Sequence, residues 1–185
     1  AIAMGASVQA QGLKDAYKNY FDVGVAINSR NLSEDQQKSI LDNFCSVTAE
    51  NEMKPGEVHP QEGVWRWERA DAIANFCRKN NIKMRGHCLV WHSQFCDWMF
   101  TDDKGKEVTK EVFYKRLREH IHTVVNRYKD IVYCWDVVNE AVSDQGKKYR
   151  TDAENPNEPL SQATHGNNSS WWHVYQSEEY IVNAF

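Results

Sequence analysis

The sequence has few of the features that would point to a cross-linked, metal-built or membrane-embedded protein. Its five cysteines, at positions 45, 77, 88, 96 and 134, are odd in number and include no C-x-x-C pair. That argues against a disulfide framework and against a zinc ribbon. The cysteines read instead as small buried apolar residues. No stretch is long and apolar enough to span a bilayer. The formal net charge is −4, so nothing favours nucleic acid or an anionic membrane surface as a partner. There is no internal repeat and no low-complexity tract. His87 and His92 lie five residues apart, which fits neither H-x-H nor H-E-x-x-H. They are read as hydrogen-bonded histidines, not metal ligands, and no cofactor is expected.

What is present suits a soluble globular chain, with 41% hydrophobic and 26% charged residues. Seven tryptophans and eight tyrosines fit either a large aromatic core or flat apolar ligand faces. Residues 1–10 are small and mostly apolar and end in Val8-Gln9-Ala10. That pattern resembles the end of a clipped secretory signal, so the protein is expected to be exported. Residues 11–185 then form the body of the molecule.

Four β-rich apolar runs recur: Val23–Ile27, Ser46–Ala49, Ile82–Gly86 and Ile131–Val138. Each is followed by polar residues and then by a helix-like segment. Ser33 and Gln36 offer a capping box to a helix carrying Ile40, Leu41 and Phe44. Ala70, Ile73, Ala74 and Cys77 form a helical stripe, as do Leu117, Ile121, Val124, Val125 and Tyr128. The fourth strand is nearly continuous apolar, as expected of a strand buried on both faces. Residues 144–170 read as a loop, and Trp171–Phe185 as a final helical stretch. The alternation predicts an α/β fold with a parallel sheet covered by helices. Four βα units amount to half of a (β/α)8 TIM barrel, which typically needs about 250 residues.

Reactive residues of such barrels gather just beyond the strand ends. Reading there gives Asn28, then Glu50-Asn51-Glu52-Met53-Lys54, then His87, Trp91, His92 and Gln94, and finally Asn139-Glu140. Glu140 follows an apolar strand, where partial desolvation would favour a general acid; it is otherwise a surface residue opening a loop. Glu50, Asn51 and Lys54 supply acceptors and donors for sugar hydroxyls, or a surface salt-bridge patch. Trp91 is either core packing or a wall for a sugar face.

Taken together, Glu50-Asn-Glu-Met-Lys54, Gly86-His-Cys-Leu-Val-Trp-His92 and Trp135-Asp-Val-Val-Asn-Glu140 resemble the signature segments of glycoside hydrolase family ten, the barrel-type endo-1,4-β-xylanases. Asp15-Ala-Tyr-Lys, Gly24–Asn28, Trp171-Trp172 and Tyr180-Ile181 fit the same pattern, from about Leu13 to the last residue. The resemblance implies retaining hydrolysis of xylan without a metal, by a monomer once complete. It implies that Glu140 is the acid/base and that Asn139 holds the 2-hydroxyl at the cleavage point. Glu50, Asn51 and Lys54 would bind the neighbouring sugar on the non-reducing side. His87 and Trp91 would line the catalytic subsite, with His92 and Gln94 close by. In the family the nucleophile is a glutamate on the seventh strand, so these residues by themselves are expected to be inactive. The alternative is a non-catalytic half-barrel that binds xylan or complements another chain.

Overall fold

The computed structural model describes residues 11–144, 146, 148–158, 160 and 166–185. The segment read as a signal, residues 1–10, lies outside them. The described chain begins with helix α1 (Leu13–Tyr17) and strand β1 (Gly24–Ile27), then α2 (Glu34–Asn43) and β2 (Ser46–Ala49). After these come α3 (Pro55–Val58), α4 (Glu68–Asn80), β3 (Lys83–Trp91), α5 (Lys110–Tyr128) and β4 (Val132–Asn139). Two short helices close it, α6 (Ser170–Tyr175) and α7 (Glu179–Ala184). All four strands pair in parallel in the order β1-β2-β3-β4.

The helices form by the stripes the sequence carries. On α4 the buried residues are Ala70, Ile73, Ala74, Phe76 and Cys77, and Asn81 caps its end in the left-handed conformation (φ 50°). On α5 they are Phe113, Leu117, His120, Val124 and Tyr128, with Thr109 accepting a hydrogen bond from the Val112 amide at the start. These faces meet Val47, Ala49 and Met84 of the sheet in one apolar core. Trp171 of α6 is fully buried, its ring centroid 4.9 Å from Phe100 and 5.3 Å from Phe113. Burying a ring of that size contributes roughly 2–3 kcal/mol.

Four expectations need correction. The third strand runs past Gly86 to Trp91, because Val90 and Trp91 pair with Val138 and Asn139; His87 therefore sits within the strand. Among the described residues β4 is paired with β3 alone and none of its residues is fully buried, Tyr133 being 55% exposed. The Ser33 hydroxyl bonds the Gln36 side chain at 2.8 Å and leaves the helix amides uncapped by side chains, so no reciprocal capping box forms. Finally, Trp171–Phe185 breaks into two helices at Gln176, whose left-handed φ of 52° ends α6.

Gly86 is required by a close approach. A Cβ there would lie 2.1 Å from Cε3 of Trp135, its cross-strand partner on β4. Gly86→Ala is expected to destabilise the protein by roughly 1–3 kcal/mol through overpacking, read as a lower urea midpoint with an unchanged m-value.

Candidate active site

Parallel register brings the ends of β1 and β2 level with each other, and likewise the ends of β3 and β4, while β3 runs on beyond the end of β2. Ile27 pairs with Ala49 and Trp91 with Asn139, so Asn28, Glu50, His92 and Glu140 each stand one residue beyond a paired strand end. The indole Nε1 of Trp91 donates to Oε2 of Glu140 at 2.7 Å. His92, buried behind Trp91, has its Nδ1 3.8 Å from the same oxygen. Burial, and secondly the Arg150 charge, push His92 down to about 4, so its ring is neutral at pH 7.

The Glu140 side chain is half exposed among the described residues. Its backbone adopts a left-handed φ of 52°, uncommon for a residue with a Cβ and a conformation that surrounding contacts must hold.

On the β2 side, the Lys54 ammonium donates to Oδ1 of Asn51 at 2.8 Å and lies 4.9 Å from the centre of the Trp91 ring. That cation–π contact ties the β2 loop to the end of β3. Glu50 accepts from the Asn28 amide at 3.4 Å. Glu52 is buried and accepts from the Ser29 amide at 2.7 Å and from Arg69 at 3.2 Å. Burial would raise its pKa, but the amides of Ser29, Glu52 and Asn51 win and hold it below the ordinary value.

Residues on β3 alternate strictly as far as Cys88. Met84 and Cys88 are buried, while Lys83, Arg85 and His87 lie on the opposite face. That face carries a cluster the candidate residues did not include. Asp136 of β4 accepts from His87 Nδ1 at 3.0 Å and is paired with Arg85. A carboxylate on Nδ1 fixes the imidazole tautomer and leaves Nε2 available. The signal was present as the one acidic residue inside an otherwise apolar strand.

Asn139 ends β4, and its side chain makes no hydrogen bond with the described residues. Gln94 has φ 53°, and its carbonyl accepts from the Gly56 amide at 2.9 Å, so its backbone docks the start of α3 against the loop after β3. The Trp91 carbonyl accepts from Trp171 Nε1 at 2.8 Å, which anchors the end of β3 to the core. The structure thus brings Glu140, Trp91 and His92 into one contact, Lys54, Asn51 and Trp91 into a second, and His87 with Asp136 into a third.

Comparison with known proteins agrees with this arrangement. The model of glycosyl hydrolase family 10 matches residues 12–185. An endo-1,4-beta-xylanase/feruloyl esterase of Xylanibacter ruminicola is 70% identical over 139 residues, covering 75% of this chain and 19% of that protein. Endo-1,4-beta-xylanase B of Paenibacillus barcinonensis is 39% identical over 179 residues, covering 97% of this chain and 48% of the relative. A solved psychrophilic glycoside hydrolase family 10 endo-beta-1,4-xylanase superposes with a TM-score of 0.80 at 51% identity, covering 95% of this chain and 50% of that one. The chain therefore spans half or less of the length of these relatives, and its four parallel strands are consistent with part of a (β/α)8 barrel. With its motifs in order and its strand ends so arranged, this chain belongs to glycosyl hydrolase family 10.

Proposed function

We propose that these residues form the acid/base half of a retaining endo-1,4-β-xylanase. The observation that carries the reading is the contact of Glu140 with Trp91. It joins the one strand-end carboxylate with no cationic or amide partner among the described residues to an indole from the neighbouring strand. Retention needs two carboxylates about 5–5.5 Å apart. Glu50, Glu52 and Asp136 are poor candidates for the second, since each is held by other groups: Asn28, then Ser29 with Arg69, then His87 with Arg85. The attacking carboxylate then comes from sequence outside these 185 residues, and the chain by itself does not turn over xylan.

In this reading protonated Glu140 donates to the departing glycosidic oxygen while the second carboxylate attacks the anomeric carbon. Ionised Glu140 then takes a proton from water as the glycosyl-enzyme is hydrolysed. Trp91 steadies Glu140 by its N–H and offers its ring to the sugar bound at the cleavage point. Asn139 holds that sugar's 2-hydroxyl. His87, oriented by Asp136, presents Nε2 to the same sugar. Asn51, Lys54 and Glu50 bind the next sugar on the non-reducing side. Because Lys54 reaches the Trp91 ring, these two subsites are contiguous. His92 and Gln94 act behind them. A polymeric substrate that does not cross membranes fits an exported enzyme, as the composition of residues 1–10 suggested.

The test compares this chain with one extended through the second half of the barrel. The extended protein is expected to release reducing ends from xylan, with the β-anomer formed first by proton NMR. The 185-residue chain is expected to release none. Hydrolysis by the short chain would overturn the assignment of the second carboxylate, and an inert extended protein would overturn the xylanase reading.

A further inference from the structure

Arg150, in the loop after β4, is buried to 2% exposure, and its charge acts on the neighbouring His92. Its Nε donates to the backbone carbonyl of Glu140 at 3.3 Å, one terminal nitrogen donates to the Asn167 carbonyl at 3.1 Å, and the other to Asp144 at 3.0 Å. Its own amide donates to the Ala141 carbonyl at 2.7 Å. The hairpin that returns the chain to this point is closed by the Ser143 amide on the Lys148 carbonyl and by the Val142–Tyr149 bridge. Both the backbone and the side chain of Arg150 therefore clamp the turn at Glu140 and Ala141.

Stability alone does not account for this guanidinium. The carboxylate it bridges among the described residues, Asp144, is 80% exposed, with Glu154 acting on it at longer range, and burying an ion with such partners is often no better than an apolar side chain of similar size. An apolar side chain could fill the same space but could not grip a carbonyl. The carbonyl in question belongs to the one candidate catalytic residue, whose left-handed φ of 52° needs external support.

We propose that Arg150 is a positioning residue for the acid/base step: by holding the Glu140 carbonyl it fixes the turn that aims the carboxylate at Trp91 and at the glycosidic oxygen. The proposal rests on the xylanase reading above. Removing Arg150 would let the turn relax and swing the carboxylate away from the leaving oxygen. Steps that need proton donation would then suffer, and bond cleavage that needs none would suffer far less.

In the enzyme carrying both carboxylates, kcat/KM is measured for xylopentaose, whose leaving sugar must be protonated, and for dinitrophenyl xylobioside, whose leaving group departs as an anion. Arg150→Met is expected to reduce the first at least about tenfold more than the second, since a misplaced general acid forfeits part of its roughly 10²–10⁴-fold contribution. In a Glu140→Ala background the same substitution should change xylopentaose turnover less than about twofold, because residues acting through one another are not additive. Asp144→Asn, at an exposed site, weakens the clamp without emptying the interior. It should shift the same ratio in the same direction by a smaller factor, even if Arg150→Met fails to fold. Equal losses on both substrates, or full additivity with Glu140→Ala, would overturn the proposal. A parent enzyme inert toward xylopentaose would overturn the reading it rests on.

Discussion

Glu140→Gln is expected to lower xylan hydrolysis about a thousandfold in the enzyme that carries both carboxylates, within the ~10²–10⁴-fold range of general acid catalysis. The substitution isolates the proton. Glutamine keeps the shape and the acceptor, so the Trp91 indole retains its 2.7 Å partner and the turn keeps its Arg150 clamp. What disappears is the acid that protonates the leaving oxygen and the base that activates water. The loss should therefore be largest for sugar leaving groups, and kcat/KM on an activated aryl xylobioside should be far less affected. Added azide should react with the glycosyl-enzyme without needing a base and yield the β-xylobiosyl azide. Unchanged turnover of xylan by Glu140→Gln would remove Glu140 from the chemistry.

The second large effect is on stability in mild acid. His59 and His120 are buried side by side, Nδ1 to Nδ1 at 3.2 Å, with near-parallel rings. His59 is stacked on Trp65 at 3.6 Å, and its carbonyl accepts from Trp98 Nε1. One Nδ1 must donate and the other accept, so the pair is compatible with two neutral rings and not with two imidazoliums. Burial pushes His59 down to about 4, with Glu62 opposing. Burial and then the neighbouring His59 push His120 down to about 3. Both folded values lie below the unfolded value of 6.5, so the neutral-ring packing is at full strength above pH 6.5. Its contribution is lost as pH falls through the window between 6.5 and about 4, where the unfolded chain binds protons that the folded chain refuses. From pH 7 to pH 5 each histidine should cost about 2 kcal/mol of unfolding free energy, at 1.36 kcal/mol per pH unit below 6.5. Few carboxylates titrate in that interval, which assigns the loss to histidine. Urea denaturation at the two pH values gives the measurement. The drop should be visibly smaller in His59→Gln, whose amide cannot take up a proton, and a pH-independent midpoint in the parent would contradict the account.

Much of the site could be read in advance because it follows local rules. The ends of β1, β2 and β4 were marked by the point where an apolar run gives way to polar side chains, whereas β3 runs on past Gly86 to Trp91, and parallel strands gather such points on one face. That logic nominated Asn28, Glu50, Asn51, Lys54, Trp91, His92, Asn139 and Glu140 as candidates without any coordinates. Asp136 and Arg85 were missed because their partners sit across the ladder. His87 pairs with Asp136 only through the register of β3 on β4, a quantity no single segment contains. Arg150 was missed for a similar reason, being ten residues from Glu140 in a loop that reads as polar and featureless.

The chain by itself determined the βα rhythm, the helix faces and the residue types at each strand end, because those depend on periodicity and on which side chains water excludes. The tertiary structure decided the rest: that Trp91 meets Glu140, that Lys54 lies over Trp91 and that two histidines are confined as neutral rings. Each of these depends on register, crossing and burial, where hydrogen bonds and charges act between segments that neither periodicity nor spacing relates.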